Sequence, residues 1–295
     1  MAMVINNNIP ALNVANTLNA HYSALQTSTQ RLSSGLRVNS AADDAAGLAI
    51  RELMRADIAA YNQGVRNAND AISLIQTADG ALGIIDEKLI RMKELAEQAA
   101  TGTYDSTQRL MIESEYQAMA SEITRIANAT AFNGVRLLDG SLSGTHNGSG
   151  LKSTGELKIH FGPGNSSAED YYYISVGCAT ASALGIGNQS ALDAGFTIST
   201  QSAAQHDLDA LTLAIVSKDK IRAALGALQN RLENTITNLN IQAENLQAAE
   251  SRISDVDVAT EMTEFVRNQI LTQAAVAMLA QANSLPRMAM NLIGG

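Results

Sequence analysis

Residues 11–36 read ALNVANTLNAHYSALQTSTQRLSSGL. Their apolar side chains recur at gaps that alternate between four and three residues, which is the spacing of one helical face in a coiled coil. No charged residue occurs before Arg31. An uncharged helix with one apolar face needs a partner helix. The predicted contact face of this helix comprises Leu18, Tyr22, Leu25, Leu32 and Leu36.

The C-terminal stretch has the same character as the N-terminal one. From Asn268 onwards the only charged side chain is that of Arg287. We expect the two ends to pair with each other, and a long chain whose ends pair in this way to be a subunit of an assembly. The predicted contact face of the C-terminal helix comprises Met262, Phe265, Val266, Ile270 and Ala274.

The composition favours long helices and argues against several classes of protein. The chain has 295 residues, of which 4% are aromatic and only 3 are proline, so uninterrupted helices are permitted almost throughout. The net charge of -9, without a cluster of Lys and Arg, argues against a nucleic-acid partner. No run approaches the roughly 18 consecutive apolar residues of a membrane span. Residues 1–10 lack the pattern of a cleaved signal, so we expect either a cytosolic protein or export by another route.

Long helices are predicted on both sides of a central insert. One follows Ser40 as its N-cap and extends over residues 41–100, and another covers residues 112–126. A further helix is expected over about residues 207–250. Residues 254–257 read SDVD, which predicts a break and a new N-cap before the C-terminal helix.

The central insert has the pattern of short strands. The dipeptides Asn133-Gly134 and Asp139-Gly140 are typical of hairpin turns, and Leu157, Ile159 and Phe161 alternate with polar residues. We therefore predict a mainly α fold with a small β insert, in which nested N- and C-terminal coiled-coil helices accompany a central, outward-facing β-rich domain. The predicted domains are a terminal coiled coil (1–42 and 252–295), a helical rod (43–140 and 201–251) and a surface-exposed β-rich domain (141–200).

The sequence offers no pattern of a catalytic, cofactor or metal site. The 4 His residues are scattered and form no set with metal-ligand spacing, and Cys178 is the only cysteine. Asp43 and Asp44 could form a carboxylate pair, but their place at a predicted helix start favours capping and compensation of the helix dipole. We predict that the protein is not an enzyme and holds no cofactor.

Several motifs, in order, resemble those of bacterial flagellins. Residues 34–47 read SGLRVNSAADDAAG, residues 66–70 read RNAND and residues 132–134 read FNG. Residues 251–262 read SRISDVDVATEM and residues 268–283 read NQILTQAAVAMLAQAN. The resemblance covers about residues 1–138 and 202–295, whereas the insert between them matches nothing specific.

This resemblance implies a structural subunit of the bacterial flagellar filament, which is a helical homopolymer. In flagellins the terminal helices form an inner tube, the middle helices form an outer tube, and the insert faces solvent. The family also implies export, unfolded and without cleavage, through the flagellar type III apparatus, and an extracellular location in the filament. Implied partners are other copies of the chain, the hook-associated and cap proteins, and an export chaperone on the C-terminal helix.

Residues 89–98 read LIRMKELAEQ and are similar to the flagellin segment that the vertebrate innate receptor TLR5 recognises. Arg91, Glu94 and Leu95 match that motif, while Ile90 replaces a more usual Gln. The plainer interpretation is a helix surface that packs against neighbouring subunits.

Two alternatives remain open from the sequence. The hook-filament junction protein shares the ends of flagellin, but it usually has Pro after the Asp pair, where this chain has Ala45-Ala46-Gly47. An insert that acts as an adhesin is the second alternative. An enzyme in the insert would need a convergent set of titratable residues, which the sequence does not show.

Overall fold

The computed structural model describes residues 8–149, 154–167, 169–187 and 197–293. They form two compact units, one of residues up to Ile58 with those from Glu244 onwards, the other of Ala59–Ala243. The mainly helical fold with a small strand insert confirms the predicted fold class. The elements are α1 (Ile9–Ser34), α2 (Ala45–Ala100), α3 (Ser106–Ala129), β1 (Ala131–Phe132), β2 (Val135–Arg136), β3 (Leu157–His160), β4 (Tyr171–Ile174), α4 (Gln201–Ser254) and α5 (Val258–Ile293).

The start of α2 differs from the prediction. Residues 40–43 form a turn and α2 begins at Ala45, so Ser40 is not its N-cap. The Asp43 carboxylate accepts hydrogen bonds from the backbone N–H groups of Asn39 and Ser40, which folds this turn. The next residue, Asp44, caps the helix instead, because its Oδ1 accepts the Gly47 N–H at 2.8 Å. The two carboxylates therefore have separate structural roles.

The remaining helix ends follow the sequence more closely. α2 ends at Ala100, before the predicted Thr-Gly-Thr break. Asp105 and Gln108 form a capping box at the start of α3. The Asp257 carboxylate accepts the Ala259 N–H at 3.0 Å, and α5 begins at Val258 as the SDVD pattern predicts.

One of the two predicted hairpin turns is present. Asn133 and Gly134 have φ values of 48° and 79° and join β1 to β2, which is the backbone conformation that favours this dipeptide in tight hairpins. Asp139-Gly140 also forms a turn, but no hairpin. There the Asp139 carboxylate accepts the Ser141 N–H at 2.9 Å, and β2 has already ended at Arg136.

The hairpin of β3 and β4 has one face towards the core and one face away from it. Leu157 pairs with Ile174, and both contact the core of the second unit. The other face carries aromatic and basic side chains that contact one another. The Lys158 ammonium lies 3.5 Å from the centroid of the Tyr171 ring, and Tyr171 and Tyr173 meet edge to face at 5.5 Å. Such cross-strand pairs stabilise a two-stranded ribbon that is marginal by itself.

The core of the second unit is formed by apolar side chains of α2, α3 and α4, together with part of the insert. Within α2 the buried positions include Leu82, Leu89 and Met92, all fully shielded from solvent. Beyond β4, Val176, Ala179, Ile186 and Ile198 belong to the same buried cluster. Part of the region predicted to be outward-facing therefore contributes to the core. The three-part division into domains stays a prediction.

Two ion pairs connect α4 to α2 in this unit and differ in burial. The Lys218 side chain is 1% exposed, and its Nζ lies 2.5 Å from Asp86 Oδ1 and 2.7 Å from Asp219 Oδ1. Arg222 contacts Asp79 at 2.7 Å, and both side chains are about 40% exposed. A buried ammonium without partners would be costly, so the Lys218 pair constrains the register of the two helices more strongly.

Asp207 on α4 is a buried carboxyl group in an apolar environment. It is 2% exposed, and its Oδ2 lacks a hydrogen-bond partner among the described residues. Burial, with a further contribution from the charge of Glu113, raises the pKa of Asp207 to about 7, although the hydrogen bond from the Tyr116 hydroxyl opposes the shift. The same surroundings raise the pKa of Tyr116.

We expect Lys218→Met to lower the free energy of unfolding by roughly 1–3 kcal/mol, because it leaves two carboxylates without their cation. Urea denaturation of the monomer measures the change. Arg222→Met on the same helix is the matched control and should cost less than about 1 kcal/mol, since solvent screens an exposed pair. Equal losses of unfolding free energy in the two variants would contradict the view that the buried Lys218 pair stabilises the unit more than the exposed Arg222 pair.

We expect Asp207→Asn to stabilise the monomer at pH 8 by roughly 2–4 kcal/mol, and to have little effect at pH 4. The folded chain holds the Asp207 proton more tightly than the unfolded chain, whose pKa is near the ordinary 3.8. The stability from this group is therefore complete below about pH 4 and is lost as the pH rises through about 7. Denaturation curves at several pH values measure the effect.

Asp209→Asn is the control for this prediction, because Asp209 lies two residues further along α4 and is exposed. Its effect should stay within about 0.5 kcal/mol at both pH values. A stabilisation by Asp207→Asn that is equal at pH 4 and pH 8 would show that desolvation of the carboxylate is not the cause.

Candidate functional site

The candidate site is the pair of helices formed by the two ends of the chain. α1 and α5 pack antiparallel in the first unit. Asn8 Nδ2 donates to the Ala282 carbonyl at 2.9 Å near one end of the pair, and Arg31 Nη1 lies 3.5 Å from Glu261 Oε2 near the other. The predicted pairing of the termini is thus present within a single chain.

The end of α4 and the segment that follows it also hold the end of α1 in place. Gly35 adopts the left-handed conformation that ends α1, with φ of 73°, and its carbonyl accepts the Val256 N–H at 3.0 Å. Arg37 donates from its backbone to the Ser254 carbonyl and from its guanidinium to the Ile253 carbonyl. These bonds fix the register at which the two helices begin to pair.

The fully buried positions between the two helices carry small and polar side chains. On α5 the shielded residues recur at gaps of three and four, and Thr272, Ala275 and Ala282 are buried. On α1 the buried residue is Ser28. Small residues allow the two helix axes to approach closely, but these positions bury little apolar surface and contribute little to the stability of the pair.

Three residues of the predicted contact face on α1 are half-buried, namely Leu18, Leu25 and Leu32, whereas Tyr22 is 52% exposed. Leu36 is also half-buried but lies beyond the end of α1, where it forms a β-bridge with Asp255. The role of these residues in polymerisation stays a prediction.

The predicted contact face on α5 lies largely outside the contact with α1. Phe265 is half-buried, whereas Met262, Val266, Ile270 and Ala274 are exposed in the single chain. Ile270, for example, is 59% exposed. Apolar residues occur on several sides of α5, so periodicity could not select the side that α1 covers. The role of these residues in polymerisation stays a prediction.

The exposed apolar side chains of both helices are numerous and large. A helix that is apolar on more than one side is usually buried in a larger structure, and a single partner such as α1 covers only one side of α5. The exposed residues among those described are Ile9, Leu12 and Tyr22 on α1, and Val258, Met262, Val266, Ile270, Leu271, Val276, Met278 and Met288 on α5.

The segment 89–98 presents two of its three predicted recognition residues at the surface. Arg91 contacts Glu94 at 3.0 Å and Glu115 at 2.9 Å, and these two carboxylates raise the pKa of its guanidinium. Leu95 is 1% exposed and packs in the core, so it does not belong to the surface that carries Arg91. The sequence did not indicate Glu115, because it lies on α3 and no local spacing connects it to Arg91.

The sequence also raised the question of metal-ligating or carboxylate groups. In these ranges no group of three or more His, Cys, Asp or Glu side chains is placed to hold a metal ion. Asp43 and Asp44 bind backbone N–H groups, as described above. None of the helices within the described parts of the chain is both long and apolar enough to cross a membrane.

Comparison with known proteins agrees with this arrangement. The profile of the bacterial flagellin N-terminal helical region matches residues 5–143, and that of the bacterial flagellin C-terminal helical region matches residues 208–293. The chain is similar to "Flagellin" of Halalkalibacterium halodurans, with 42% identity over 99% of this chain and 100% of the relative. It shows 40% identity to "Flagellin FlaB2" of Treponema pallidum and 42% to "Flagellin" of Bacillus subtilis, again over 99% of this chain and 100% of each relative. Since the profiles cover both ends in order and the relatives align over nearly the whole chain, the protein belongs to the bacterial flagellin family.

Proposed function

We propose that this flagellin, a structural subunit of the bacterial flagellar filament, polymerises through the apolar sides of α1 and α5 that the chain itself leaves uncovered. The observation that carries the proposal is the exposure of large apolar side chains on α5 opposite a contact made of small residues. Burying one such side chain against a neighbouring copy would contribute about 1.5–3 kcal/mol. Contacts of this kind, repeated head to tail, generate an open helical polymer.

The uncharged character of the two helices supports the same proposal. A carboxylate or ammonium buried between several helices would cost several kcal/mol without a partner. The first 30 residues contain none, and Arg31 at the end of α1 has Glu261 beside it. In this proposal the terminal helices (1–42 and 252–295) form the inner part of the filament. Residues 43–140 and 201–251 surround it, and residues 141–200 lie outermost.

The export chaperone and the hook-associated and cap proteins are proposed to bind the same terminal helices. The exposed apolar side of α5 suits an export chaperone, which would keep it covered before assembly. The hook-associated and cap proteins would meet the same terminal helices at the two ends of the filament. Export through the flagellar type III apparatus would place the protein outside the cell, in the filament. We assign it no enzymatic activity and no cofactor.

Of the alternatives, the hook-filament junction protein is less well supported than the filament subunit. Relatives at 39–40% identity carry the names flagellar filament core protein of Treponema phagedenis and Brachyspira hyodysenteriae. A core protein of the filament is a subunit that repeats along the polymer, so these names favour the filament subunit over a junction protein.

We expect Ile270→Glu to abolish filament formation while the monomer stays folded. Ile270 is exposed in the single chain, so the substitution leaves the contact with α1 intact, but a carboxylate at a subunit contact would be desolvated without a partner. Seeded polymerisation followed by electron microscopy measures the first effect, and circular dichroism measures the second.

Two further variants separate assembly from folding. Ser149→Glu introduces the same charge at an exposed position of the insert and should leave filaments normal. Ala275→Glu places the charge in the α1–α5 contact and should disturb both the helix pair and assembly. Filaments of ordinary length from Ile270→Glu would overturn the assignment of the uncovered side of α5 to polymerisation.

Recognition of the monomer by TLR5 is a second, separate proposal. It is supported by the exposure of Arg91 and Glu94 beside Glu115 on one surface of the second unit. Leu95 would act by holding α2 in the core and not by direct contact.

We expect Arg91→Ala to weaken activation of TLR5 reporter cells by roughly tenfold or more, which is the loss of about 1.4 kcal/mol of contact energy. Arg125→Ala is the control, because Arg125 is similarly exposed and also pairs with a carboxylate, that of Glu122. Unchanged activation by Arg91→Ala would remove this segment from consideration as a receptor contact.

A further inference from the structure

The second unit contains a long groove that the assembly of α1 and α5 does not explain. It has a volume of about 1010 Å³ and is lined by α4 and by the turn that joins β3 to β4. Tyr172 of β4, Leu239 of α4 and Tyr61 of α2 also line it.

The wall formed by the turn between β3 and β4 is held in one conformation. The carboxylate of Asp170 is 8% exposed and accepts the backbone N–H groups of Gly164 at 3.3 Å and Ser166 at 2.7 Å. A Cβ atom at Gly162 would overlap this carboxylate. Asn67 of α2 holds the end of β3 through the His160 carbonyl at 2.7 Å. The wall is therefore preorganised and need not be ordered by a ligand.

The wall formed by α4 is a row of amide side chains. Asn230, Asn234, Asn238 and Gln242 follow one another at intervals of four residues and all line the groove. Twelve residues of α helix extend this row over about 18 Å. A linear polymer could contact the whole row, whereas a small metabolite could contact only part of it.

These amides are partly oriented by their own helix. Asn234 Nδ2 donates to the Asn230 carbonyl at 2.9 Å, and Gln242 Nε2 donates to Asn238 Oδ1 at 2.6 Å. The atoms that remain for a ligand are Asn234 Oδ1, Asn238 Nδ2, Gln242 Oε1 and the Asn230 amide, together with the second hydrogen of Asn234 Nδ2 and of Gln242 Nε2. Donors and acceptors are therefore both available along the groove. A hydroxyl group is both donor and acceptor, and a chain of hydroxyl groups matches such a mixed row.

The charges of the groove restrict the class of ligand further. Glu169 and Asp170 lie on one wall, which disfavours a polyanion. The guanidinium of Arg231, which also lines the groove, lies 3.5 Å from the centroid of the Tyr172 ring, so one cation stands against two carboxylates. A peptide would normally be bound at a sheet edge, in apolar side-chain pockets or by an arginine cluster, and the amide row resembles none of these.

We propose that this groove is a binding site for a neutral, linear polysaccharide, whose hydroxyl groups bind the amide row of α4. The proposal concerns a function beyond filament assembly and does not depend on it. Binding would use Asn234 and Asn238 as central contacts, with the Asp170-bound turn as the opposite wall.

The test uses the full chain as a soluble monomer and the neutral oligosaccharides laminarihexaose, maltohexaose and mannohexaose as probes, with a hyaluronan oligosaccharide as the anionic comparison. We expect at least one neutral probe to bind in isothermal titration calorimetry, and hyaluronan not to bind. The double variant Asn234→Ala/Asn238→Ala should bind that probe at least roughly tenfold more weakly. Alanine favours the helix, so this variant is expected to fold.

Asn240→Ala is the matched control, because Asn240 is an exposed amide of α4 that does not line the groove, and it should bind as the unmodified chain does. Absence of binding to every neutral probe, or binding that the double variant retains, overturns the proposal. If no sugar binds and the double variant polymerises more slowly than Asn240→Ala, the groove instead receives a second copy of this chain, which also overturns it.

Discussion

The structure of the first unit depends on one imbalance, namely that α5 carries more apolar surface than α1 can cover. The contact between them uses Ser28, Thr272 and Ala275, which pack closely but bury little. Larger side chains such as Met262 and Ile270 remain exposed on α5. Burial of each of them would contribute on the order of 2 kcal/mol of favourable free energy, and a single chain does not obtain this contribution. In an aqueous medium this free energy favours association with further copies.

The terminal segments also largely lack charged side chains, which would hinder burial of the apolar surface that α1 leaves uncovered on α5. A side chain that moves from water into a crowded set of helices is penalised strongly if it is an unpaired charge, less if it is an uncharged amide or hydroxyl that finds a hydrogen-bond partner, and little if it is small and apolar. The segment before Arg31 obeys this rule throughout. Arg31 itself lies where α1 ends and pairs with Glu261. The ends of the chain can therefore be soluble enough to exist alone and still be compatible with burial.

The second unit also exposes large apolar side chains, such as those of Leu110, Met111 and Leu213, but its core is closed within one chain. Its buried apolar residues come from the helices and from the insert, and its buried ammonium, Lys218, has two carboxylates beside it. The exception is Asp207, whose burial favours its protonated form and makes the stability of the unit dependent on pH. Association is thus not required for this unit to fold. It is free to carry surfaces, such as the amide row of α4, that serve other ligands.

The start of α5 at Asp257 and the hairpin at Asn133-Gly134 could be predicted from sequence, because each depends on a hydrogen bond or a backbone conformation of a few neighbouring residues. The side of α5 that meets α1 could not, because apolar residues occur on several sides of that helix and its periodicity has several equal solutions. Tertiary packing made that choice. It likewise decided that Asp44 caps α2, that Leu95 is buried, and that Glu115 lies beside Arg91. Each of these depends on residues distant in sequence or on competition between adjacent groups, which only packing resolves.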